Sequence, residues 1–257
     1  MTDRARLFVA SSSGLACVLL CTACSDAWHP LPLDASCYDD FSLYDSGDTG
    51  QLCMGDATNQ MSALPSDLRR LVLCDADLRD LNVLRGLREL EHLVLYRMRA
   101  LPPLGAVAEL PALRKLDLSR SQVQDLSPLR NLVNLRRLLL TGTPVADLAP
   151  LAMLGRLEEL SVRETQVTDL APLAMLAGLR ALDIGDTQVT DLTPLNDLHN
   201  LRTVSAYDAS VSFEQRYAVE QAVNGPDHDE DDYLIVNIAT PDDMTPYCPI
   251  NRWRDGE

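Results

Sequence analysis

Five aspartates, Asp80, Asp125, Asp147, Asp169 and Asp191, recur at nearly multiple-of-22 separations along this 257-residue chain. A file of carboxylates could serve acid–base chemistry or hold a cation, because neighbouring carboxylates alter one another's proton affinity. Each one, however, stands just before Leu-x-x-Leu or Leu-x-Pro-Leu, where a carboxylate accepts backbone N–H groups that open a short helical turn. Capping is the expected role. Thr143, Thr165 and Thr187 fall at the matching strand-ending turns, where a hydroxyl can bond the backbone of the neighbouring coil. The histidines, His29, His92, His199 and His228, are scattered, and no H-E-x-x-H, G-x-S-x-G or phosphate-loop motif occurs. Nothing in the sequence supports catalysis or a bound cofactor.

Asp227-His228-Asp229-Glu230-Asp231-Asp232 alternates acidic residues as a calcium loop does. Asp232 stands where that pattern needs glycine and Ile238 where it needs glutamate, so a solvated acidic loop is expected. Cysteines offer other chemistry. Cys37 and Cys53 lie in one short polar segment and are the expected disulfide, worth about 3 kcal/mol by chain entropy. Cys74 and Cys248 are left over, either paired or free. No CxxC with metal spacing occurs beyond the leader, so no metal site is expected.

The elements that position these residues are repeats. Leucines stand at 68, 90, 113, 135, 157, 179 and 201, six intervals of 22 or 23 residues. Each unit reads Leu-x-x-Leu-x-Leu, a polar turn, an aliphatic residue and then Asp-Leu-x-Pro-Leu. Thr-Gln-Val-Thr-Asp-Leu recurs unchanged at 165–170 and 187–192. Leu116 and Leu118 alternate inward along a short strand, while Val123, Leu126, Leu129 and Leu132 return along the opposite wall. One unit cannot bury its own leucines. Stacked at the ~4.8 Å strand spacing, the units form a parallel sheet roughly 29 Å across. The second unit departs from the pattern at Leu101-Pro102-Pro103-Leu104, which predicts an extra helical turn on its convex side.

At these residues the chain resembles the leucine-rich repeat family, within it the 22-residue subclass of bacterial internalins and of the eukaryotic phosphatase-1 regulatory repeat protein. The resemblance covers somewhat more than half the chain. It implies an α/β fold: a right-handed solenoid of about seven repeats, with a parallel sheet on its concave face and a cap at each end. Three functions stay open: an envelope binding protein, an intracellular regulatory or scaffold subunit, or a structural envelope component.

If the strand leucines point inward, the residues between them line the concave face. These vary from unit to unit, which suits recognition of a protein or a glycan. Candidate ligand-binding residues are Val72, His92, Val94, Tyr96, Asp117, Arg137, Leu139, Arg163 and Tyr207. Val72, Val94, Tyr96 and Leu139 are expected to expose apolar area in the first half. A second stripe is basic: Arg69, Arg70, Arg114, Lys115, Arg136, Arg137, Arg180 and Arg202 open their strands and are read as a solvated edge.

The organisation that follows has four parts. Residues 1–23 carry Arg4 and Arg6 before an uncharged apolar stretch, a bacterial-type export signal. Thr22-Ala23-Cys24 resembles a lipobox, although Cys21 replaces the usual leucine, and implies acylation at Cys24 and attachment to a membrane. Residues 24–67 form an acidic N-terminal cap and residues 68–211 the repeats. Within 212–257, Ser212 and Gln215 make a capping box for a helix whose apolar side is Phe213, Tyr217, Ala218 and Ala222, ending at Gly225-Pro226. Tyr233 to Ala239 could add a strand. The net charge of −16 sets the overall field against nucleic acid. Localisation in a bacterial envelope is expected, and the sequence leaves the partner and the oligomeric state open.

Overall fold

The computed structural model describes residues 64–224 apart from 65, 75–77, 79 and 99, together with the backbone of 8–12, 15–19 and 235–237. Cys24, Cys37, Cys53, Cys248 and the acidic loop at 227–232 lie outside the described residues, as does the side chain of Cys74.

Two N-terminal strands, β1 (Phe8–Ser12) and β2 (Leu15–Leu19), pair antiparallel, and β2 runs parallel to β3 (Arg70–Cys74). The repeats then supply β4 (His92–Tyr96), β5 (Lys115–Asp117), β6 (Arg137–Leu139), β7 (Glu159–Ser161), β8 (Ala181–Asp183) and β9 (Thr203–Ser205). β10 (Ile235–Asn237) adds in parallel to β9. From β3 to β9 the seven strands are parallel and in order, Leu71 facing Leu93, Leu116, Leu138, Leu160, Leu182 and Val204 in one register. This is an α/β leucine-rich repeat solenoid.

Physics fixes each coil at its corners. The strand ends at a residue with positive φ, at Arg97, Arg120, Gly142, Glu164, Asp186 and Asp208, between 50° and 67°. Left-handed backbone there turns the chain out of the sheet while the ladder continues, with Arg120 N donating to Thr141 O at 2.7 Å and Glu164 N to Gly185 O at 3.0 Å. On the convex wall the coils close with three-residue 3₁₀ turns, Asn82–Leu84 in the first and, from the third on, turns such as Ser127–Leu129 or Ala171–Leu173 with proline at their start. The second coil has six residues there, Leu104–Glu109, as its proline-rich departure predicts.

The five aspartates act as expected: Oδ1 of Asp80, Asp125, Asp147, Asp169 and Asp191 accepts the N–H two residues on, each at 2.8 Å. The threonines differ from expectation. Thr143, Thr165 and Thr187 donate to the carbonyl three residues back in their own coil, at 2.5–2.6 Å, closing the strand-end turn. Ser121 makes the link between coils, donating to Leu95 O at 2.7 Å and accepting from Met98 N at 3.0 Å. Each coil's leucines form one continuous core from Leu68 to Ala206, and a fully buried leucine contributes roughly 1.5–3 kcal/mol.

At the C-terminal end, α1 (Phe213–Asn224) seals the last leucines with Val219 and Val223. Gln215 N donates to Ser212 Oγ at 3.2 Å, half of the expected capping box. The Gln215 side chain does not return to Ser212: its Oε1 accepts Leu192 N at 3.1 Å and ties the helix to the previous coil. The expected apolar side is corrected too. Phe213 and Tyr217 are exposed and stacked at 6.4 Å, because the helix rests on its other face. Among the described residues no helix is long and apolar enough to cross a membrane.

Candidate functional site

The concave face consists of rows that cross the strands. Row one runs Arg70, His92, Lys115, Arg137, Glu159, Ala181 and Thr203; row two runs Val72, Val94, Asp117, Leu139, Ser161, Asp183 and Ser205. Side chains of one row are about 4.8 Å apart, so each feels its neighbours directly.

In the first half, row one is cationic around His92. Burial, then Lys115, Arg70, Arg137 and Arg114, pull the imidazole down to about 3, so it is neutral at pH 7. Its Nδ1 is buried with no hydrogen-bond partner among the described residues. Val72 and Val94 overturn the expectation of exposed apolar area: they are only 5% and 3% exposed, packed with half-buried Tyr96 in a cluster on the concave side. Short valines standing beside each other between longer side chains lose their water contact. Asp117 is also no surface contact. It is 7% exposed, with Oδ1 accepting Ser119 N at 2.8 Å, and burial raises its proton affinity against the opposing Ser119 bonds.

Arg137 lies in the face but is committed to Glu159 through a two-pronged pair, Nε–Oε2 at 2.5 Å and Nη2–Oε1 at 2.6 Å. The expected solvated edge is likewise paired in part: Arg69 and Arg114 flank Glu91 at 3.5 and 3.8 Å, and Arg136 meets Glu158 at 2.9 Å. Such exposed pairs add little stability and hold register more than energy.

The second half is polar. Arg163 reaches Asp186 at 2.7 Å and lies 5.4 Å above the ring of Tyr207, so these two predicted residues come together. Leu139 remains partly exposed on β6. Sequence reasoning missed what lies between them. Row one falls from Arg137 and Glu159 to Ala181, and the lost side-chain volume opens a shallow notch lined by Leu139, Glu159, Ser161, Ala181, Asp183 and Thr203, over Leu160 and Leu182. Asp183 Oδ1 accepts Gly185 N at 3.0 Å and Oδ2 takes a long bond from Ser161 Oγ at 3.3 Å. Burial raises this carboxyl, while the Gly185 N–H, the charge of Arg163 and the hydroxyls of Ser161 and Ser205 oppose the shift. The signal was available: alanine at a strand position where other units carry long side chains.

Among the described residues no group of three metal-ligating side chains occurs. The arrangement offers surfaces, charges and a notch.

No protein-family model and no curated protein sequence matches the chain. Solved structures do. An internalin (inlF) of Listeria monocytogenes is 25% identical with a TM-score of 0.56, the match covering 61% of this chain and 45% of that one. A leucine-rich repeat protein of Leptospira interrogans, 20% identical with a TM-score of 0.51, shares the fold over 68% of this chain and 52% of its own. This chain therefore spans only about half the length of those two proteins. Internalin C2 of Listeria monocytogenes is 31% identical with a TM-score of 0.58, over 68% of this chain and 72% of the other. With leucines in register through seven parallel strands and that degree of identity, the chain belongs to the leucine-rich repeat family.

Proposed function

We propose that this chain is an exported, non-catalytic binding protein that recognises another protein through its concave face and is tethered to the bacterial envelope by acyl groups on Cys24. One observation carries the reading. Coils of nearly the same backbone hold different side chains at equivalent concave positions, Glu159, Ser161 and Arg163 against Ala181, Asp183 and Gly185, while the core positions behind them stay aliphatic, Leu160 and Val162 against Leu182 and Ile184. An aliphatic core with varied facing residues is what a rigid recognition surface requires, because preorganised side chains cost little ordering entropy on binding. Similarity to Listeria internalins supports a binding role, and the apolar N-terminus with Cys24 supports export.

Peptide display on the immobilised full chain tests the face. Selected peptides should lose binding to Leu139→Asp, Arg163→Glu and Tyr207→Ala, and keep it for Met153→Glu and Met175→Glu on the opposite wall, where both methionines are exposed. Failure to select any ligand, or ligands sensitive only to the methionine changes, overturns the reading. A sugar-only ligand, found on a glycan array and lost in the same concave variants, replaces protein by glycan. The anchor is tested separately by intact mass: an acylated product starting at Cys24, absent from Cys24→Ser, is expected, and a soluble chain retaining 1–23 overturns it.

A further inference from the structure

We propose that the notch at Ala181 is a subsite for a cationic side chain, lysine or arginine, presented by the partner protein; this rests on the concave-face reading above. Its shape follows from the sequence of row one. Where Arg137 and Glu159 reach across the face, Ala181 offers one methyl group, and the gap it leaves is bordered by Leu139 and Thr203 and floored by Leu160 and Leu182. Apolar walls of this kind accept an aliphatic stem.

The lining is not all apolar. Asp183, Ser161 and Glu159 belong to it too. A carboxylate has about four lone-pair sites. Those of Asp183 are used in part, by a 3.0 Å backbone bond, a 3.3 Å bond from Ser161 and a bond from the Ser205 side chain. An ammonium or guanidinium entering along the stem would meet Asp183 and the hydroxyls of Ser161 and Thr203, with Glu159 already held by Arg137 and the Arg163 charge beside Asp183. Just beyond the strands this half of the face carries Glu164, Asp186 and Asp208, the first two paired with Arg163. An anionic group would have to enter against the half-buried carboxylates of Asp183 and Glu159. A sugar ring would lack a platform, because the Arg163 guanidinium already lies over the Tyr207 ring.

The experiment is a titration of ¹⁵N-labelled full chain, carrying Cys24→Ser to prevent acylation, with the methylamides of N-acetyl-lysine, N-acetyl-norleucine and N-acetyl-aspartate, and with methyl glucoside. Norleucine has the lysine stem without its charge, so it isolates the head group. The lysine compound should shift the amides of Ala181, Asp183 and Gly185 with a dissociation constant on the order of 1 mM, as expected for one side chain. Norleucine should bind at least tenfold more weakly. Asp183→Asn should weaken the lysine compound at least tenfold, and Ala181→Arg, which fills the notch from a strand position that carries arginine elsewhere, should abolish its shifts while leaving the rest of the spectrum in place. Equal binding of lysine and norleucine, preference for aspartate or glucoside, or no shift up to about 50 mM lysine compound overturns the proposal. The two readings fail separately. Display-selected peptides that need Leu139 and Tyr207 but tolerate Ala181→Arg leave the concave face standing and remove the notch, whereas peptides insensitive to every concave change remove both.

Discussion

The coils that carry β7 and β8 repeat Thr-Gln-Val-Thr-Asp-Leu letter for letter, and their helical turns open at φ −99°, ψ 0° on Leu170 and φ −98°, ψ 0° on Leu192. Across the sheet from that shared wall, Glu159, Ser161 and Arg163 stand on the same side as Ala181, Asp183 and Gly185, with Ser161 and Gly185 buried. Core and corners tolerate one solution because each leucine must fill the space left by its neighbours in the stack. The concave rows are released from that demand. Recognition and architecture therefore occupy different positions of the same 22 residues, and substitutions should separate them cleanly.

The largest effect should come from the shared wall. Leu160→Ala or Leu182→Ala removes a buried side chain from the middle of a one-dimensional stack and should cost about 3 kcal/mol or more. Met153→Ala and Met175→Ala, on the exposed opposite wall, should stay within about 0.5 kcal/mol. Urea unfolding midpoints check both. Equal losses would mean the repeats are not a continuous core.

Acidity separates two groups of the concave face, His92 in row one and Asp183 in row two. His92 has its folded value lowered from 6.5 to about 3, chiefly by burial and then by the surrounding cations. The unfolded chain therefore binds more protons between those pH values, and the stability His92 retains above pH 6.5 is lost as pH falls toward 3. Asp183 is shifted the other way. Burial raises its carboxyl above 3.8, so the folded chain binds more protons there and stability declines as pH rises through that window. His92→Gln should remove up to one proton's worth of acid sensitivity, and Asp183→Asn should make the chain more stable at neutral pH than at pH 4 relative to the parent. Denaturant midpoints measured from pH 4 to pH 8 decide; shifts of the same sign in the two variants would show that the two groups do not differ in this way.

Corners give smaller changes. A Cβ on Gly178 would lie 2.7 Å from Gly155 O, a backbone atom that cannot swing aside, so Gly178→Ala should cost about 2 kcal/mol. Gly155→Ala meets nothing within 4 Å and should be nearly silent. Asp169→Ala removes one carboxylate bond to Ala171 N and should cost about 1 kcal/mol. Thermal unfolding of the three variants orders them.

Much of this was legible in the residues. A 22-residue leucine period forces stacking, and Asp-Leu-x-Pro-Leu writes a cap and a turn, so the solenoid, its parallel sheet and the long turn of the second coil followed from spacing alone. The concave rows were also legible as a list of positions, since alternation along a strand assigns the side. Their exposure was not. Val72 and Val94 are short and stand side by side, and Asp117 turns back onto Ser119 N, so facing outward did not mean reaching solvent. The helix face was misjudged for a related reason: Phe213 and Tyr217 are the larger apolar groups, but Val219 and Val223 fall on the side that Gln215 ties to Leu192 N. Which side chains pair across coils, such as Arg137 with Glu159, depends on a register that only the stacked structure supplies.

The smallest stability change should accompany one of the largest changes in binding. Ala181 is partly exposed and its neighbours in the row are Glu159 and Thr203, so Ala181→Arg adds bulk at a strand position where the sheet already accommodates it at Arg137. No cavity forms and no buried polar group loses a partner, which keeps the expected stability change within about 0.5 kcal/mol. The added guanidinium fills the notch beside Asp183 from within the chain. A variant with the parent's unfolding midpoint and no response to lysine methylamide would show that a concave position can be rewritten without cost to the wall behind it. A midpoint lowered as far as that of Leu160→Ala would show instead that row one is part of the packing, and that the separation drawn between the two faces of the coil is wrong.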